Sequence, residues 1–164
     1  MEAGQTNKSW LSAVKLAGQS EAMQMNIVAI GAHPDDLEIF TFGFLAAASA
    51  RGDTLYLGVA TDGAAGGENP GSELATQRAN ETSAGLAPLG IPTLLGLPDG
   101  RLADAPEARE RITDFIRAAA PDLVITHAPE DYHPDHRALS SFVTDAAGFI
   151  CPVLFCDTLM GVGF

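Results

Sequence analysis

The chain has 164 residues, 46% hydrophobic and 18% charged, which fits one folded domain with a real core and excludes a disordered chain. Nine basic against 21 acidic residues give a formal charge of −12, which argues against binding to nucleic-acid backbones and against docking on anionic lipid. No segment reaches the length of a membrane span, and the only two cysteines, Cys151 and Cys156, sit in an apolar stretch and read as buried free thiols, so a reducing cytoplasm is the expected location.

Residues 1–24 hold Lys8, Lys15 and a short apolar patch but no secretory core. They read as an N-terminal extension, poorly ordered or helical, ahead of a domain over 25–164. The apolar run 27–30 predicts a fully buried parallel strand. After the polar turn from His33 to Asp36, the Ala- and Leu-rich stretch 37–50 predicts a helix closed by Arg51-Gly52. The run 54–60 predicts a second strand, ending in a glycine-rich loop from Thr61 to Gly67. A helix is predicted over 72–89, with Ser72 as its cap, Gly90 as its stop and Arg78 near Glu81. A third strand, 93–97, runs into the turn Pro98-Asp99-Gly100. The stretch 106–120 begins acidic and carries Arg111 and Arg117 later, as the helix dipole favours. A fourth strand over 123–126, a helix over 134–147 and a fifth strand over 153–155 follow. The chain closes on the apolar Met160-Gly161-Val162-Gly163-Phe164, which reads as a domain truncated at its C-terminus.

Strands alternating with helices predict an α/β fold, a Rossmann-like and mostly parallel sheet with helices on both faces in three layers. Sites in such sheets form beyond the carboxyl ends of the strands. Every polar cluster of this chain falls there. His33, Asp35 and Asp36 follow the first strand, Asp62 and the glycines the second, Asp99 the third, and His127, His133 and His136 the fourth. The loop after the first strand lacks the glycine spacing for a pyrophosphate, and the loop after the second lacks a P-loop lysine. Both argue against a nucleotide-binding module.

In Ala32-His33-Pro34-Asp35-Asp36, Pro34 stiffens the turn, and two adjacent carboxylates repel unless a positive charge sits beside them. Alone, this cluster is read equally as metal binding or as a helix cap. In Asp131-Tyr132-His133-Pro134-Asp135-His136, Pro134 fixes a helix start, and the two histidines three apart face one side. The positive end of the helix dipole disfavours imidazolium and keeps a histidine able to bind metal, while Asp135 can set a tautomer. Together the clusters offer two histidines and one aspartate, the ligand set of a catalytic zinc with an open position. One aspartate and one histidine remain for acid–base work. His127 reads as a solvated residue at the rim.

The pairing of Ala-His-Pro-Asp-Asp with His-Pro-Asp-His resembles the LmbE-like family of zinc-dependent N-acetylglucosaminyl deacetylases, also called the PIG-L family. The likeness runs from about Met25 to the end and includes Thr61-Asp62-Gly63, the Arg78 and Glu81 helix, and Leu97-Pro98-Asp99-Gly100. The resemblance implies His33, Asp36 and His136 as zinc ligands and Asp35 as the general base that takes a proton from the attacking water. It implies His133 as the group that stabilises the oxyanion or acts as acid, with Asp135 behind it, and Arg78 and Asp99 as contacts to the sugar. Where relatives carry glycines after the first motif, this chain has Phe40-Thr41-Phe42, and its tyrosine, Tyr132, stands directly before His133.

The activity so implied is hydrolysis of the acetamide of an N-acetylated amino sugar, a small molecule, to free amine and acetate. Ferrous iron or another divalent metal binds the same donors as Zn2+. The alternative is a non-catalytic metal-binding remnant or a sugar-binding domain of the same fold. A homo-oligomer is compatible with the sequence, and the aglycone is not written in it.

Overall fold

Five strands form one wholly parallel sheet: β1 (Asn26–Gly31), β2 (Thr54–Thr61), β3 (Thr93–Leu97), β4 (Leu123–His127) and β5 (Val153–Cys156), side by side in the order β3-β2-β1-β4-β5. The computed structural model describes residues 23–156. The expectations for residues 1–22 and for the apolar end 157–164 fall outside the described residues. Among the described residues no helix is long and apolar enough to cross a membrane.

Parallel strands need crossovers, and helices supply them on both faces. The side chains of β1 alternate between the two. Val28 and Ile30 join Val124, Ile112, Ile116, Leu139 and Val143 beneath α4 (Ala108–Ala118) and α5 (Pro134–Ala147). Ile27 and Ala29 join Leu37, Leu45, Leu57, Leu86 and Ile125 beneath α1 (Asp36–Phe40), α2 (Phe42–Arg51) and α3 (Ser72–Leu86). The three layers are those the pattern predicts. Burying each such aliphatic side chain stabilises by roughly 1.5–3 kcal/mol.

The helix predicted over 37–50 is two helices. Thr41 leaves the helical region at φ −127°, and its hydroxyl donates to the Leu37 carbonyl at 2.8 Å. Such back-bonding by threonine bends helices. α2 stops at Gly52, whose φ of 99° is left-handed. α3 ends at Leu86 and not at 89: Ala87 keeps helical angles, but Pro88 has no N–H to continue the ladder. Ser72 is the first helical residue, and Gly71 takes the cap position without a side-chain bond. The helix predicted from 106 is preceded by a single 3₁₀ turn, Leu102–Asp104, and begins at Ala108. The two cysteines are free and half-buried.

Candidate metal centre

The strand order reverses between β1 and β4, since β2 and β3 lie on one side and β5 on the other. Such a reversal opens a crevice at the carboxyl ends of the strands. Backbone pairing between β1 and β4 runs only to Ala29 and Ile125. Beyond it side chains bridge the gap: the Thr126 hydroxyl donates to the Ile30 carbonyl at 3.1 Å, and His127 Nε2 lies 3.0 Å from the Ala32 amide nitrogen.

The first motif folds tightly at this opening. Gly31 lets the chain turn, because a Cβ there would lie 2.7 Å from the Asp36 Cβ. The His33 amide donates to Asp36 Oδ2 at 2.7 Å. Asp35 stands at the start of α1 with φ 113°, a region costly for any residue but glycine. It makes no capping bond, so the carboxylate is free of the role that a helix cap would give it. The second motif is held by Pro134 at the head of α5. Asp131 Oδ1 accepts from the His133 amide at 2.9 Å, and His133 Nδ1 accepts from the Asp135 amide at 3.2 Å.

These two turns bring His33, Asp36 and His136 together. His33 Nδ1 lies 3.2 Å from His136 Nε2 and 3.5 Å from Asp36 Oδ2, and His136 Nε2 lies 3.5 Å from Asp36 Oδ1. Two donors each about 2.0–2.1 Å from a zinc ion at tetrahedral angles stand about 3.3–3.4 Å apart. The three edges lie near that spacing, the two to Asp36 running to its two different carboxylate oxygens, and all three residues are buried. The residues present therefore fit a divalent metal. Three groups of ligand-type atoms share residues with it: His33, His133 and His136; Asp36, His127 and His136; and His33, Asp99 and Asp135.

The far nitrogen of His33 faces two carboxylates, Asp99 Oδ1 at 3.2 Å and Asp135 Oδ2 at 3.4 Å. Carboxylates behind a histidine ligand fix its tautomer and raise its basicity. Asp135 also accepts from the Gly100 amide at 2.6 Å and the Leu102 amide at 3.0 Å, so its carboxylate sits behind His33, not behind His133. Asp99 is tied to the glycine-rich loop through the Ala65 amide at 2.9 Å. Arg78 does not pair with Glu81, which accepts from Gln77. Its guanidinium donates to the Pro34 carbonyl at 2.7 Å, to Asp35 Oδ2 at 3.0 Å and to the Gly63 carbonyl at 3.3 Å. Arg78 thus staples the first loop to the second and holds the strained Asp35.

His127 corrects the sequence reading. It is 3% exposed, not solvated. Its ring lies flat on His136, centroids 3.7 Å apart, and its Nε2 is 3.0 Å from Asp36 Oδ2. Asp131, which the sequence reading leaves without a role, is 1% exposed, with Oδ2 3.1 Å from His136 Nδ1 and 3.9 Å from His127 Nδ1. That oxygen stands off the N–H axis of His136, whose Nδ1 has no well-formed bond. The sequence signal for His127 is its place at the carboxyl end of β4, four residues before Asp131.

Burial alone would lower the His33 pKa, but hydrogen bonds to Asp135 and Asp36 and the charge of Asp99 outweigh it, and the value is pushed up to about 10. Burial opposes ionisation of Asp36, yet the bonds to His127 and His33 hold its carboxyl far below the usual range. Burial and the neighbouring Asp36 raise Asp35, against the pull of Arg78 and His33. Burial and the charge of His33 lower His133, and burial with His127 lowers His136.

The donors open into a cavity of about 340 Å³, with Arg78, Asp99 and Gly66 on one side and Ile39, Phe40 and Tyr132 on the other. Residues 28–147 match the family model described as PIG-L, GlcNAc-PI de-N-acetylase. The chain belongs to the PIG-L family. This PIG-L domain is similar to the conserved protein TT1542 from Thermus thermophilus, at 28% identity and a TM-score of 0.71, over 83% of this chain and 67% of that one. It is similar to N,N'-diacetylchitobiose deacetylase from Pyrococcus horikoshii, at 25% identity and a TM-score of 0.69, over 91% of this chain and 61% of that one. It is also similar to a deacetylase of the teicoplanin biosynthetic pathway, at 25% identity and a TM-score of 0.67, over 77% and 61% of the two chains. The PIG-L chain described here spans 61% to 67% of the length of these three structures.

Proposed function

We propose that this chain carries a zinc-dependent hydrolytic centre that removes the acetyl group of an N-acetylglucosamine-type sugar, giving acetate and the free amine. The observation that carries the reading is the buried triangle of His33, Asp36 and His136, with edges of 3.2–3.5 Å, beside a half-exposed Asp35. Membership of the PIG-L family and the deacetylase activities of two similar structures support the same class.

His33 Nδ1, His136 Nε2 and the Asp36 carboxylate would hold the metal. When bound, a divalent cation supplies Lewis acidity, polarising an amide carbonyl and making water more acidic. The protein supplies the rest. Asp35 faces the cavity with a side chain 54% exposed and takes the proton of the attacking water. Its raised pKa makes it a stronger base than an ordinary aspartate, and Arg78 keeps it aimed. His133 is neutral, and its Nδ1 is occupied by the Asp135 amide, so its proton sits on Nε2. That N–H is a donor for the oxygen on which negative charge develops. As the C–N bond breaks, the proton gathered by Asp35 passes to nitrogen and the amine leaves.

Amine and acetate release from a panel of N-acetylglucosaminides tests the reading on the zinc-loaded chain. Asp35→Asn should lower release by roughly 10²–10⁴-fold with metal content unchanged. A variant that turns over like the parent, or a metal-loaded parent that releases no amine from any member, sinks it. Iron loading in place of zinc distinguishes the two ions on the same donors.

A further inference from the structure

Beyond the last backbone bond between β1 and β4, a single buried side chain spans the opening. His127 Nε2 is 3.0 Å from the Ala32 amide and 3.0 Å from Asp36 Oδ2. That nitrogen has a single in-plane position, so it serves one of the two partners, and as an N–H it donates to Asp36 Oδ2. The ring face meanwhile stacks on His136 at 3.7 Å and 11°, and Phe40 closes the other edge of the stack at 5.7 Å. One residue therefore touches two members of the ligand triangle and the backbone next to the third, His33. Its Nε2 is engaged by the Asp36 carboxylate.

We propose that His127 is a positioning residue for the metal. Its Nε2–H holds the Asp36 carboxylate, and its ring braces the plane of His136. Asp36 Oδ2 is pinned from two sides, by the His33 amide at 2.7 Å and by His127, while Oδ1 faces His136 Nε2. Without the strut, the carboxylate is held at one point only and is free to rotate away from the two imidazoles. Groups that orient ligands in this way typically change metal affinity by about 10–100-fold when removed. The proposal rests on the reading that His33, Asp36 and His136 hold the metal.

The test is cobalt binding to the metal-free chain, read as a dissociation constant by chelator competition and as the visible d–d spectrum. His127→Phe keeps the stacked ring and loses both polar contacts. His127→Gln places an amide near the position of Nε2, with an oxygen for the Ala32 amide and an N–H for Asp36. The expected order is a roughly 10–100-fold weaker constant and an altered spectrum for His127→Phe, with His127→Gln within a few-fold of the parent. Should the phenylalanine variant not fold, His127→Asn takes its place, since its amide is one methylene too short to reach either partner, and the same order is expected. Equal affinity and spectra for the parent and the phenylalanine or asparagine variant overturn the proposal, as does a glutamine variant no better than the others. A parent that takes up no cobalt overturns the metal reading as well, which separates the two failures.

Discussion

Metal uptake by the metal-free chain should expel a proton from His33. Its pKa is pushed up to about 10, because Asp135, Asp36 and Asp99 together outweigh the cost of burial. About three pH units separate that value from neutrality, so about one ring in 10³ is deprotonated at pH 7 and the metal must overcome about 4 kcal/mol of proton affinity. An ordinary histidine, near 6.5, would add almost nothing there. The apparent metal affinity should therefore rise about tenfold per pH unit from pH 7 to 9. Calorimetry in buffers of different ionisation enthalpy should count about one proton released per metal at pH 7.5. The sign for stability follows from the same shift. A folded value above the ordinary one stabilises the metal-free protein fully below about pH 6.5 and ceases to do so as pH rises through the folded value. Its melting temperature should fall between pH 7 and 10, and metal loading should remove that fall. An affinity flat across pH 7 to 9, with no proton released, would refute the reasoning.

Three further outcomes follow from the same contacts. Gly66→Ala puts a methyl 2.9 Å from Arg78 Nη1, a flexible end that can swing away from Asp35; turnover should drop several-fold while the urea midpoint stays within the small range of surface changes, about 0.5 kcal/mol. Asp135→Asn leaves the Gly100 amide, the Leu102 amide and His33 to compete for one acceptor oxygen; urea titration should show a loss of about 1–3 kcal/mol, and the pH slope of metal affinity should flatten. Ile112→Ala, wholly buried between α4 and the sheet, should cost about 2–5 kcal/mol by denaturant unfolding and leave the cobalt spectrum of the folded protein unchanged.

The strands and the layer order are legible in the sequence because burial on both faces writes a parallel strand as a plain apolar run, as in Ile27 to Ile30. The helix limits are less so. Phe40-Thr41-Phe42 has helical hydrophobicity, and the break at Thr41 comes from one hydroxyl bonding a carbonyl four residues back. Pro88 carries the stop signal of α3, two residues before the more conspicuous Gly90. At the site, residues clustered in sequence are visible as clusters. His127 is marked only by its place at the end of β4, and its contacts with Ala32 and Asp36, 95 and 91 positions away, are not readable from it. Asp99 is visible only as a turn residue with an implied sugar contact, and its approach to His33 depends on the loop carrying Ala65. Spacing alone pairs Arg78 with Glu81, but the carboxylate of the strained Asp35 and two free carbonyls make a better set of acceptors.

The arrangement of charge explains why proton and metal compete for one place. Asp36, Asp131 and Asp135 are at most 5% exposed, and the Asp99 side chain is 7% exposed. Four carboxyl groups converge on three imidazoles, and among the described residues no lysine or arginine pairs with any of these four carboxylates. Buried carboxylates are tolerated when something positive stands beside them. In the metal-free protein the proton on His33 is that charge, which is why three aspartates hold it so tightly. A dication in the ligand triangle would supply two charges where the proton supplies one, and from a point nearer to Asp36. His136 does not share the task, since burial and the stacked His127 lower its pKa. Arg78, which lines the cavity, is spent on Asp35, outside the cluster. The same deficit of positive charge that raises His33 is thus what makes the triangle a cation site.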